Sequence, residues 1–336
     1  MKLTIDQIRS VASGAAQIFE ENGGVRLLRF TKEQYELYMG TGHRIKAPGT
    51  PGIRLTFSTD SPTLYLKADT DTGSGRTYFA FDVCVGGERV GSLDNYSHLN
   101  PGKNYPGMKC TLGTYEKSFE LGEDEKTVTV HLPFSVGVVL QEVSLADGAT
   151  LTPVRRAKKL LCFGDSITHG YDALHPSNRY PARLADLLDA EENNKGVGGD
   201  RFFPPLARLK DDFTPDYITV AYGTNDWNNV TREEMAGNCR AFYAALRENY
   251  PDTPIFAITP VWRADCENIR PCGPFSEAEK IIAEAVADLP NVCVVRGLDL
   301  IPHDSALYGD LRLHPSDEGF AHYAKNLYAA MTEYLK

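Results

Sequence analysis

Four separated stretches hold the residues best suited to chemistry. Gly164-Asp165-Ser166-Ile167-Thr168-His169-Gly170 places a serine at the end of a buried apolar run, Leu160 to Phe163. Gly164 allows a sharp turn. A serine at or near the helix start that follows has a free backbone N–H in a field favouring negative charge. Its hydroxyl can serve as a nucleophile, and the competing reading is an ordinary helix cap or turn. Asn194-Lys195-Gly196-Val197-Gly198-Gly199-Asp200 carries glycines that let a backbone N–H approach a ligand with no Cβ in the way. It does not fit G-x-G-x-x-G and defines no dinucleotide site. Tyr222-Gly223-Thr224-Asn225-Asp226-Trp227 offers an amide that can donate to an oxyanion without titrating; the commoner fate of such an asparagine is an Asx-turn. Gly309-Asp310-Leu311-Arg312-Leu313-His314-Pro315 supplies an imidazole able to take a hydroxyl proton near neutral pH. A lone histidine is more often a surface or structural residue, but this one sits where the other three stretches are expected to converge.

That convergence requires a scaffold, and the apolar periodicity describes one. After about residue 155, Leu160 to Phe163, Tyr217 to Ala221, Ile255 to Ile258 and Val292 to Val295 are short apolar runs without a polar face, as in the buried strands of a parallel sheet. Between them, Tyr180, Leu184, Leu187 and Leu188 fall at helical spacing, as do Met235, Cys239, Phe242, Tyr243 and Leu246. Thr231 with Glu234, and Ser276 with Glu279, read as capping boxes. The last helix begins near Ser316 and presents Phe320, Tyr323, Leu327, Met331 and Tyr334 on one face. Alternating strands and helices define a doubly wound α/β domain, whose ligands lie at the carboxyl ends of the strands.

Residues 50 to 145 have the other period. Ile53, Leu55 and Phe57 alternate with polar neighbours, as do Leu64, Leu66 and Ala68, then Phe79, Phe81, Val83 and Val85, and finally Val128, Val130 and Leu132. Gly86-Gly87 supplies the pair of positive φ angles that a tight hairpin needs. Period 2 with frequent turns predicts two antiparallel sheets packed as a sandwich. Thr31 with Gln34 reads as a further capping box, and Val25 to Phe30 as a strand. The division expected is residues 1–154 and 155–336, near Pro153-Val154-Arg155-Arg156.

Composition narrows the functions. The 336 residues carry 35 basic and 45 acidic side chains, a net charge of −10, with no basic patch, so nucleic acid is not an expected partner. No apolar run approaches the ~20 residues of a membrane helix. The start, Met1-Lys2-Leu3-Thr4-Ile5-Asp6, lacks the apolar core of a secretory signal. Seven scattered cysteines without a Cys-x-x-Cys pair support neither a disulfide framework nor a thiolate zinc site, although Cys266 and Cys272 share one loop and could pair in an exported protein. A cytoplasmic location is the expectation.

Taken together and in this order, the four stretches resemble the SGNH, or GDSL-type, hydrolase superfamily, over about residues 158 to 336. The resemblance implies a flavodoxin-like fold with Ser166 as nucleophile and His314 as base. It also implies an oxyanion hole from the N–H groups of Ser166 and Gly199 and the amide of Asn225, Gly199 being aligned through Asn194 and Asp200. The family's acid usually lies three residues before the histidine, where this chain has Leu311; Asp310 lies four before. Either a bulge lets Asp310 reach the imidazole, or another acceptor orients it and the enzyme is a dyad. The activity implied is hydrolysis of carboxylic esters through an acyl-enzyme, with neither metal nor cofactor required. The sandwich is similar in pattern to the jelly-roll domain preceding some carbohydrate esterases of the superfamily, which points to short acetyl esters on an oligosaccharide or small molecule. The alternatives are a lipid or thioester hydrolase and a non-catalytic carbohydrate-binding protein. Asp165, Trp227, Trp262 and Arg263 are the expected pocket residues, the last two on the long segment Val261 to Phe275 that follows a strand end. The sequence leaves the oligomeric state open.

Overall fold

The computed structural model describes residues 1–102 and 104–336. The period-2 segments form two antiparallel sheets. One runs Ala12–Ser13, Arg54–Thr59, Lys126–His131, Ala80–Val85, Glu88–Asp94, with Thr152–Pro153 also on Arg54–Thr59. The other runs Gln17–Glu21, Gly24–Leu28, Val136–Leu145, Thr63–Thr72, Thr114–Glu120. Leu64, Leu66 and Ala68 from the second sheet meet Leu55, Phe57, Val128 and Val130 from the first in one apolar layer. Gly86 (φ 59°) and Gly87 (φ 91°) make the tight hairpin between Val85 and Glu88.

From Lys158 onward the chain builds a parallel sheet with helices on both faces. Its order is Ala190–Asn194, Lys158–Gly164, Tyr217–Ala221, Ile255–Ile258, Val292–Val295, which is 2-1-3-4-5 along the chain and flavodoxin-like. Helices Arg232–Asn249 and Ser276–Val286 pack Met235, Phe242, Leu246 and Ile282 against Phe163, Ile218 and Val220. Helices Tyr180–Leu187 and Asp317–Tyr334 cover the opposite face, where Leu184, Phe320 and Leu327 meet Leu160, Cys162 and Phe256.

Two capping expectations are corrected. Thr231 accepts the N–H of Glu234, but the reciprocal half of the box is not formed. Ser276 does not cap its helix: it is the first helical residue, and Phe275 holds the cap position without a side-chain bond. By contrast Thr31 and Gln34 make both bonds of their box.

The two halves are joined through their cores. Phe30 and Tyr38 enter one apolar layer of the α/β half, and Tyr78, Tyr96 and Phe134 enter the other. Buried charge is matched across the same junction. Arg54 of the sandwich lies 2.7 Å from Asp186 and 3.6 Å from Glu192, and Glu192 accepts both arms of Arg179 at 2.8 and 3.1 Å. The arrangement explains the charge on the edge strand Ala190–Asn194: Glu192 answers Arg54 and Arg179, and Asn194 bonds Glu192 and the carbonyl of Thr168.

Candidate active site

Each of the four stretches ends at the same edge of the parallel sheet. Lys158–Gly164 leads into the short helix Ser166–His169, capped by Asp165, whose carboxylate accepts the N–H of Ile167 at 2.9 Å. The following glycine loop rides closely on this turn. A Cβ on Gly196 would lie 2.6 Å from the backbone nitrogen of His169, so only glycine fits. His169 also holds that loop from behind. Its Nδ1 accepts the N–H of Gly198 at 3.3 Å, while Nε2 faces the carbonyl of Phe134 at 2.8 Å. Burial and the nearby Arg29 cation keep this ring neutral by pushing its pKa well down.

His314 Nε2 stands 2.9 Å from Ser166 Oγ, and His314 Nδ1 stands 2.8 Å from Asp310 Oδ2. The extra residue between acid and base is absorbed by Leu311, which adopts φ 57°. That left-handed step turns the loop so that Asp310 Oδ1 accepts the N–H groups of Arg312, Leu313 and His314 at 2.9, 2.7 and 3.1 Å. Burial raises the Asp310 pKa, but the bond to His314, the imidazole's charge and these N–H donors together hold it well below the usual carboxylate range. The bulge, rather than the alternative acceptor, is what the structure contains.

The remaining donors surround the serine turn. Neither the Ser166 N–H nor the Gly199 N–H meets an acceptor among the described residues. Gly199 has φ 81°, and a Cβ there would lie 3.3 Å from Lys46 Nζ of the sandwich half. Asn225 Nδ2 gives one proton to the carbonyl of Asp200 at 2.9 Å, which fixes the amide and leaves the second proton available. Asp200 itself is raised to about 6, chiefly by burial.

The pocket expectations fare differently. Trp227 is fully buried: its indole N–H donates to the carbonyl of Gly273, and its ring lies under the guanidinium groups of Arg263 and Arg270. It is a core residue on which the 261–275 segment packs, not a pocket wall. Arg263 is also buried. Its Nε and Nη2 engage Asp265 and Nη1 reaches Thr224 Oγ1 at 3.0 Å, so its charge is already matched and turned away from the solvent. Asp165 is buried as a helix cap, and burial raises its pKa to about 7. Trp262 alone faces open space. It stacks on His303 beside Cys266, Ile269 and Phe275 in a groove of about 400 Å³. Cys272, in the same segment, packs its sulfur 3.7 Å from that of Met235 and is not bonded to Cys266.

One neighbour of the site carries no sequence signal. Asp172, in the loop after the serine helix, directs Oδ2 to within 3.5 Å of His314 Nδ1. Asp172, Asp310 and His314 offer atoms within 4.8 Å of one another, the spacing of a metal set. An ion there would displace the bond between His314 and Asp310, and it would face Arg76, whose Nε lies 2.7 Å from Asp172 Oδ1. The donor set therefore suits holding a proton better than holding a cation. Only the pairing with Arg76, 96 positions away, distinguishes Asp172, and no local pattern announces it.

A hydroxyl, an imidazole and a carboxylate in line, beside unpaired N–H groups at a strand end, define the site of an acylhydrolase on a flavodoxin-like sheet. Residues 162–322 match the GDSL-like Lipase/Acylhydrolase family. No curated protein matches the chain. Among solved structures, the salicylyl-acyltransferase SsfX3 from a tetracycline biosynthetic pathway is 22% identical with a TM-score of 0.79, over 96% of this chain and 94% of that one. A family two carbohydrate esterase from Clostridium thermocellum, in complex with cellohexaose, is 16% identical with a TM-score of 0.66, over 96% and 99%. An acetyl xylan esterase from the rumen bacterium Butyrivibrio proteoclasticus is 16% identical with a TM-score of 0.57, over 84% and 90%. At such identities the likeness is one of fold, and its extent includes the sandwich. No helix among the described residues is long and apolar enough to cross a membrane.

Proposed function

We propose that the protein is a serine esterase that removes short acyl groups, acetyl foremost, from a carbohydrate. The observation that carries the reading is the line from Asp310 through His314 to Ser166, at 2.8 and 2.9 Å. Ser166 Oγ attacks the ester carbonyl as its proton passes to His314 Nε2. Asp310 keeps Nδ1 protonated and balances the imidazolium. The carbonyl oxygen gathers charge against the N–H groups of Ser166 and Gly199 and the Asn225 amide, worth roughly 3–4 kcal/mol per donor. His314 then protonates the departing alcohol, and water regenerates the serine by the same route.

For the substrate, support comes from the two-part architecture shared with the esterases that bind cellohexaose and cleave acetyl xylan, and from Trp262 at the mouth of an open groove. A cytoplasmic location belongs to the same proposal, supported by seven unpaired cysteines. The test compares wild type with Ser166→Ala on p-nitrophenyl acetate and butyrate, then measures acetate released from acetylated oligosaccharides. Wild type no faster than the alanine variant refutes the esterase. Rates that climb steadily with acyl length refute the acetyl assignment.

A further inference from the structure

The acid that orients His314 has a neighbour of the same kind. Asp172 is fully buried, and its Oδ2 has no hydrogen-bond partner among the described residues, yet it points at the same imidazole nitrogen that Asp310 engages. Burying a carboxylate oxygen unpaired is expensive, and Asp172 is also held at φ 70°, a left-handed conformation that favours glycine. Both features are imposed by the sandwich half. Arg76 Nε and the Tyr78 hydroxyl bind Asp172 Oδ1 at 2.7 and 3.1 Å, and the Tyr105 hydroxyl donates to its carbonyl. Gly309, at the start of the histidine loop, lies so close that a Cβ there would fall 2.8 Å from that of Asp172. Nothing else in the loop accounts for the aim of Oδ2.

We propose that Asp172 is a positioning residue for His314, a second carboxylate at Nδ1 held in place by Arg76 and Tyr78, so that the sandwich helps to set the base. The rates expected below rest on the esterase reading. The titratable and charged groups around His314 are Asp310 on its own loop, Asp165 on the serine turn, Tyr171 and Asp172 on the loop beyond, and, across the junction, Arg76 and Tyr105, which both bond Asp172. Removing the Asp172 charge destabilises the imidazolium, and removing the Arg76 charge stabilises it.

The experiment measures kcat/KM against pH for wild type, Asp172→Asn, Asp310→Asn, the double variant and Arg76→Gln, with the His314 ring titrated by NMR in the same proteins. Asparagine at 310 still accepts the three backbone N–H groups through Oδ1. Asp310→Asn is expected to lose about 100-fold, because Nδ1–H can turn to Asp172. The double variant should fall to the ~10⁴-fold loss typical of an imidazole with no carboxylate. The acid limb should move down by about one pH unit in Asp172→Asn and up in Arg76→Gln. A purely structural link between Arg76 and its loop would lower Tm without these opposed shifts. The inference is overturned if Asp172→Asn changes kcat/KM less than about threefold in the Asp310→Asn background, or if His314 titrates at one pH in wild type and Asp172→Asn. Should Asp172→Asn not fold, Arg76→Gln decides, an unmoved titration refuting the inference. Activity equal in wild type and Ser166→Ala would sink the esterase alone, leaving the NMR titration to judge Asp172.

Discussion

Replacing Asn225 tests the oxyanion hole with little disturbance elsewhere. Its side chain makes one intramolecular bond, Nδ2 to the carbonyl of Asp200 at 2.9 Å, and the residue is only partly buried. Losing that bond in Asn225→Ala should lower stability by about 1 kcal/mol, a fall in Tm of about 2–3 °C. Losing the second N–H should act on the transition state alone, lowering kcat by about 10²–10³, or roughly 3–4 kcal/mol, with KM nearly unchanged. Asn225→Asp keeps the shape but exchanges the donor for a negative charge beside the developing oxyanion, so its loss should be at least as large. The assay is steady-state hydrolysis of p-nitrophenyl acetate beside a thermal melt of each variant. A kcat within about fivefold of wild type in Asn225→Ala would remove the amide from the transition state. A large drop in Tm with a proportionate loss of activity would instead make Asn225 a scaffold residue.

Three further substitutions have defined signs. Asp165→Asn retains the helix cap, asparagine and aspartate being equal there. Burial raises the Asp165 pKa from 3.8 to about 7, so the folded protein binds a proton that the unfolded chain has lost across that window, and wild-type stability falls as pH rises through it. The variant should therefore gain on wild type between about pH 5 and pH 8, by up to about 3 kcal/mol, read from urea melts at both ends; a constant difference would contradict the raised pKa. Leu311→Asn should raise stability by about 1 kcal/mol with kcat unchanged, since asparagine tolerates φ 57° better than leucine and little burial is lost; a lower Tm would refute it. Arg54→Ala leaves Glu192 short of a cation at a buried junction and should destabilise by about 3–5 kcal/mol in urea unfolding; a loss under about 1 kcal/mol would make the pair ornamental.

The strands whose faces differ in polarity were readable, because burial writes a period into the sequence: Leu64, Leu66 and Ala68 are the plain case. The runs ending at Ser166 and Asn225 were equally plain, since strands covered on both faces cannot hide their apolarity. Ala190–Asn194 carries no apolar strand signal, because Glu192 faces Arg54 and Arg179, and Asn194 in turn bonds Glu192. Ser276 with Glu279 matched a capping pattern that the chain does not use, and Trp227 looked like a pocket aromatic until its burial was known. The four-residue spacing of Asp310 and His314 is compatible with two geometries, and the backbone of Leu311 selects one. Asp172 was out of reach of any local rule, its partners Arg76 and Tyr78 lying in the other half.

His169 spans that same divide with a single ring, taking the N–H of Gly198 on one side and meeting the carbonyl of Phe134 on the other. A transplant of the hydrolytic half onto a foreign partner would thus leave the His169 ring behind the glycine loop without its second anchor, however faithfully Ser166 and His314 were carried across. A recombinant library cut at residue 155 should yield its better catalysts where the new partner's backbone brings a carbonyl to the place of Phe134's.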